Sequence, residues 1–114
     1  MKTPLELVQA QLEAYNRRDV EAFTRCFSPT VVVQDLLGTA PRCRGAKEFR
    51  ANYEKVFAEN LRLHCKLVHR IVQDQFVIDE EYVTGIERLG NQPLRVAAIY
   101  FIDAGLIQKV WFTR

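Results

Sequence analysis

A chain of 114 residues, 48% hydrophobic and 26% charged, can build one hydrophobic core, so a single domain over 1–114 is expected and a disordered or multidomain chain is not. The net charge of +2 comes from basic residues scattered among acidic ones, without the stripe that grips a phosphate backbone, so nucleic acid is not an expected partner. MKTPLELVQ lacks the apolar run of a secretory signal, no stretch is long enough to span a membrane, and Cys26, Cys43 and Cys65 show no CxxC spacing. The expectation is a cytoplasmic protein with reduced thiols and no disulfide framework.

Thr3-Pro4-Leu5-Glu6 is a helix start, with Thr3 as cap, Pro4 in the first turn and Glu6 closing a capping box. Leu5, Val8, Leu12 and Tyr15 then recur at helical spacing, so one face is predicted to be buried. Asp19 can cap a second helix carrying Val20, Phe23 and Phe27, which Ser28-Pro29 should end. The β-branched run Thr30 to Val33 reads as a strand leading into Asp35, and Gly38-Thr39-Ala40-Pro41 as a loop. Gly45 opens a third helix with Phe49, Tyr53, Val56 and Phe57 on one face.

From Leu61 the period changes to two. Residues 61–72 alternate, with Leu63, Cys65, Leu67 and His69 on one side and His64, Lys66 and Arg70 on the other. Turn signals at Gln73-Asp74-Gln75, Gly90-Asn91 and Asp103-Ala104-Gly105 divide the remainder into an antiparallel meander. A strand of twelve residues is about 40 Å long, far more than the roughly 13 Å radius of gyration of such a domain. The sheet must therefore bend, and helices over its concave side enclose a cone suited to a ligand.

Turn positions give a register. Centring the first turn on Asp74 sets His69 opposite Asp79 and Leu67 opposite Glu81. A two-residue Gly90-Asn91 turn sets Glu81 opposite Tyr100 and Val83 opposite Ala98, and a turn at Ala104 sets Tyr100 opposite Gln108 and Ala98 opposite Val110. The inner face then carries His69, Asp79, Glu81 and Tyr100 among apolar residues, as a ligand site does. The outer face mixes charges with Tyr82, Phe101 and Trp111, which suggests a homodimer packed through it. His64 and His69, five apart in a strand, should fall on opposite faces, and no metal site is expected.

The order of elements, and the stretches AYNRRDVEAFTRCFSPTVVVQDLLG, GAKEFRANY, NQPLRVAAIYFIDAG and LIQKVWF, resemble the nuclear transport factor 2-like superfamily, and within it the SnoaL-like and ketosteroid isomerase-like proteins. The resemblance implies an α+β roll in which three N-terminal helices cover a cone-shaped, strongly curved antiparallel sheet. It implies that Asp35 is the base that shuttles a proton between substrate carbons, and that Tyr53 and Phe27 are pocket aromatics. Gln11 stands where the family carries its oxyanion-donating tyrosine, and Tyr100 where it carries a second, protonated carboxyl.

Two functions are consistent with these residues. One is an isomerase-type acid–base enzyme, working without a cofactor on a small apolar or carbonyl-containing compound, with Asp35 as base and Tyr100 or His69 as donor. His69 would be oriented by Asp79, and Glu81 would share the site. The other is a ligand-binding or dimerisation module with the same cone and no turnover. In either, Gln11, Tyr15, Phe27, Tyr53, Phe57, Val83, Val110 and Phe112 form the expected pocket wall.

Overall fold

The computed structural model describes residues 1–114. Helix α1 spans Pro4–Arg17, and both hydrogen bonds of the Thr3–Glu6 capping box form, at 2.9 and 3.2 Å. Its buried face comprises Leu7, Val8, Gln11, Leu12 and Ala14, while Leu5 is exposed. Arg18 ends the helix in a left-handed conformation, and Asp19 caps α2, Val20–Thr24, by accepting a hydrogen bond from the Ala22 amide. α2 stops short of Phe27, which already lies in β1, Phe27–Asp35. Pro29 is tolerated within this strand because pairing with the neighbouring strand is irregular between Phe27 and Val32.

β2, Cys43–Arg44, leads into α3, Gly45–Glu59, and then come β3, His64–Gln73, β4, Phe76–Thr84, β5, Leu94–Asp103, and β6, Leu106–Phe112. They form one six-stranded sheet in the order β2-β1-β6-β5-β4-β3. Every pairing is antiparallel except that of β1 with β6, which is parallel. Phe23, Phe27, Phe49, Tyr53, Phe57 and Tyr15 pack between the helices and the sheet, with ring centroids 4.4–6.5 Å apart. The radius of gyration is 13.2 Å.

Three registers differ from those read off the turns. In β3, a bulge between Leu67 and His69 leaves Val68 unpaired and reverses the side-chain parity beyond it. Leu67 does face Glu81, but His69 pairs with Glu80 on the outer face, and Arg70 turns inward opposite Asp79. The same bulge puts His64 and His69 on one face, although no three His, Cys, Asp or Glu side chains gather as a metal set. Between β4 and β5 there is no two-residue turn: Gly85 and a 3₁₀ turn at Glu87–Leu89 intervene, so Glu81 faces Val96 and Tyr100 faces Val77. A bulge between Phe101 and Ile102 then sets Tyr100 opposite Val110 and Ala98 opposite Phe112. Both slips are by an even number of residues, so Glu81 and Tyr100 stay on the inner face.

Gly85 closes the end of β4. Its φ is +78°, and a Cβ there would stand 2.0 Å from the Arg62 carbonyl oxygen, a backbone atom that cannot move aside. Gly85→Ala is therefore expected to cost about 2–4 kcal/mol in urea unfolding. A loss below about half a kcal/mol would mean that the Arg62–Gly85 approach is not tight.

Candidate functional site

The concave face of the sheet and the three helices enclose a cavity of about 500 Å³. Its wall includes Gln11, Leu12, Tyr15, Phe23, Phe27, Val33, Phe49, Tyr53, Val83, Val96, Val110 and Phe112. Phe57 is not part of it. The turn of α3 that sends Tyr53 and Val56 to the cavity sends Phe57 behind Tyr15 and Phe23, with ring centroids 5.5 Å from each. Tyr15 and Tyr53 line the cavity, and burial pushes both phenols above their usual range, so they stay neutral.

The polar floor is a hydrogen-bonded chain. Gln11 Nε2 donates to the Val8 carbonyl at 3.0 Å and to the Tyr100 hydroxyl at 3.2 Å, and Tyr100 donates to Glu81 Oε2 at 3.4 Å. Glu81 lines the cavity and is only 7% exposed. Burial, with a further contribution from the Asp79 charge, pushes its carboxyl up to about 7, against opposing hydrogen bonds from Tyr100 and Cys65. A carboxyl poised there exchanges protons freely near neutral pH. Since the Tyr100 hydroxyl favours the ionised form, Tyr100→Phe is expected to move the Glu81 midpoint further up, as read from the ¹³Cδ chemical shift across a pH titration. An unmoved or lowered midpoint would mean that Tyr100 does not donate to Glu81.

Asp79 is wholly buried beneath this floor and does not line the cavity. Arg70 holds it with two hydrogen bonds, Nε to Oδ1 at 2.6 Å and Nη2 to Oδ2 at 2.8 Å, and a third from Nη1 reaches Gln9 Oε1 at 2.8 Å. The His69–Asp79 pair expected from alternation is thus replaced by Arg70–Asp79, because the bulge at Val68 exchanges the two faces. His69 lies in a shallow outer groove with Val68, Ile71, Tyr82 and Arg95.

Asp35 ends β1, in register with Phe112, which pairs with Ala98, which pairs with Asp79. Three strand spacings, about 14 Å along the sheet, therefore separate Asp35 from Asp79, and it is no neighbour of Glu81. Its two carboxylate oxygens each lie 2.8 Å from Arg42 Nε, and Arg114 Nε lies 3.4 Å from Oδ1. Asp35 itself does not line the cavity, whereas Arg42 and Arg114 do. Neither arginine was identified from the sequence as a site residue. Arg42 had a local signal, since it sits just past the Gly38–Pro41 loop and immediately before β2, where the Arg42 amide donates to the Val33 carbonyl at 2.8 Å. Arg114 had none.

A helix-covered, bent sheet around a cavity with a short polar chain at its floor defines an α+β roll of the cystatin-like, nuclear transport factor 2-like class. The SnoaL-like domain profile matches residues 8–110, and the chain belongs to that family. No curated protein matches the sequence. Among solved structures, an uncharacterised cystatin-fold protein from Novosphingobium aromaticivorans superposes with a TM-score of 0.89 at 21% identity, over 100% of both chains. A suggested polyketide cyclase from Sinorhizobium meliloti gives 0.80 at 16% identity, over 98% of this chain and 100% of the other. A protein with a ketosteroid isomerase-like fold from Catenulispora acidiphila, in complex with trimethylamine, gives 0.77 at 18% identity, over 99% and 87%. These likenesses establish the shared fold.

Proposed function

We propose that this protein is an acid–base enzyme of the isomerase type, acting on a small, largely apolar carbonyl compound, with Glu81 rather than Asp35 as the proton-transferring carboxyl. The observation that carries this reading is Glu81 itself, a carboxyl held near 7 at the floor of an apolar cavity and hydrogen-bonded by a buried tyrosine. In its ionised form Glu81 takes a proton from the carbon next to the carbonyl, and in its protonated form returns it to another carbon. The neutral hydroxyls of Tyr15 and Tyr53 are the donors available to the carbonyl oxygen as charge develops on it, the Tyr100 hydroxyl being given to Glu81. Asp35, held by two arginines, orders the mouth.

The test is a screen of β,γ-unsaturated ketones, 3-cyclohexen-1-one first, for conversion to the conjugated enone by the native chain, Glu81→Gln and Asp35→Asn. Turnover by the native chain and Asp35→Asn, with binding but no turnover by Glu81→Gln, is the expected pattern. Binding without turnover in all three supports the second reading, a non-catalytic ligand-binding module, which is favoured by Gln11 engaging Tyr100 at the floor.

No helix is long and apolar enough to cross a membrane. Cys26, Cys43 and Cys65 are free and buried, which accords with a cytoplasmic site of action. The outer sheet face carries exposed Ile71, Phe76 and Tyr82 next to half-buried Phe101 and Trp111, and a second copy packs there. A dimer is expected in sedimentation at micromolar concentration, with Tyr82→Glu shifting it to monomer. A native chain that sediments as a monomer would refute this contact.

A further inference from the structure

We infer that the cavity takes a ligand bearing a carboxylate or similar anionic group, seated at the β1 end against Arg42 and Arg114. This rests on the pocket proposed above and is independent of catalysis by Glu81. Two guanidinium groups share the single Asp35 carboxylate, so this end of the cavity carries a surplus positive charge. Arg42 uses only Nε, on both Asp35 oxygens, which leaves its terminal amino groups without a protein acceptor. Arg114 Nε is buried and makes no hydrogen bond, although Asp35 Oδ1 is 3.4 Å away. An unsatisfied buried guanidinium donor is costly unless an acceptor arrives from outside the chain.

The arrangement suits an anion in shape as well as charge. Arg114 lies over the Phe112 ring, 4.8 Å from its centroid, so the guanidinium is held above an apolar wall that the ligand body would also touch. The flat fork of arginine matches a carboxylate better than a lysine ammonium does. At the other rim, Lys55 and Arg88 are balanced by Glu59 and Glu87, so no comparable surplus exists there. Glu81 on β4 is two strand spacings, roughly 10 Å along the sheet, from Arg114 at the end of β6, and farther from Arg42 beside β1. The ligand class is a largely apolar compound that ends in a carboxylate.

The test is calorimetric titration with two probes of the same shape, 2-naphthoate and 2-naphthamide. The native chain should bind naphthoate about tenfold or more tightly than naphthamide, with a preference that shrinks as salt rises. Arg114→Met and Arg42→Met should each remove most of that preference and leave naphthamide binding, which also reports the fold, unchanged. Lys55→Met should leave the preference intact. Asp35→Asn, by releasing both arginines, should raise naphthoate affinity, an effect that a merely structural role for the arginines would not produce. Naphthamide binding with no naphthoate preference, or equal losses from Lys55→Met and Arg114→Met, would overturn the anion site and leave the pocket standing. Binding of neither probe would overturn both.

Discussion

Glu81→Gln is expected to remove turnover by about 10²–10⁴-fold and at the same time to stabilise the protein above pH 7. The sign follows from linkage. The Glu81 carboxyl titrates at about 7 in the folded chain against 4.5 as its ordinary value, so below 4.5 it is protonated in both states and affects nothing. Between 4.5 and 7 the unfolded chain loses the proton and the folded chain keeps it, so stability falls as pH rises. Above 7 the carboxylate is ionised in both states, and the full penalty of about 3 kcal/mol applies. Glutamine abolishes that penalty. Urea unfolding at a series of pH values should show the native curve falling across this window and the variant flatter. A variant less stable than native at pH 8 would mean that Glu81 is ionised at no cost and is not poised for proton transfer.

The second large effect lies beneath the floor. Asp79 is 0% exposed and its charge is matched by Arg70, whose side chain is itself only 11% exposed. Arg70→Met strands a buried carboxylate and is expected to cost about 3–5 kcal/mol in urea unfolding, a large share of the stability of a domain this size. Pairing it with Asp79→Leu should recover most of the loss, because an apolar pair needs no desolvation of charge. The single variant should also raise the Glu81 midpoint, since the Arg70 charge helps to hold it down. A loss under about 1 kcal/mol would show that Asp79 is not committed to Arg70.

What the sequence revealed and what it concealed divide along the range of the interactions. The Thr3 and Asp19 caps, the start of α3 at Gly45 and the turn at Asp74 are local, written within four or five residues, and the structure realises each. The inward orientation of Glu81 and Tyr100 was legible despite two wrong registers, because slips by an even number of residues keep every side chain on its face. The bulge at Val68 was illegible, since one unpaired valine in an alternating run looks like any other, yet it exchanges His69 for Arg70 at Asp79. Equally hidden was the parallel pairing of β1 with β6, because no turn connects strands so far apart in sequence. That pairing brings Asp35 into register with Phe112, next to Arg114. Asp35 was singled out by the family resemblance and by its place at the end of a β-branched run, and neither signal contains its two arginine partners.

Proton transfer itself can be followed with a simple ketone. With 2-tetralone and the protein in deuterium oxide, ¹H NMR reads the loss of signal at the carbons beside the carbonyl. The native chain and Asp35→Asn are expected to accelerate deuterium incorporation near neutral pH, with a profile that turns at about 7, and Glu81→Gln to return it to the buffer rate. Exchange that survives Glu81→Gln and disappears with Asp35→Asn would contradict the assignment of Glu81 as the proton-transferring group.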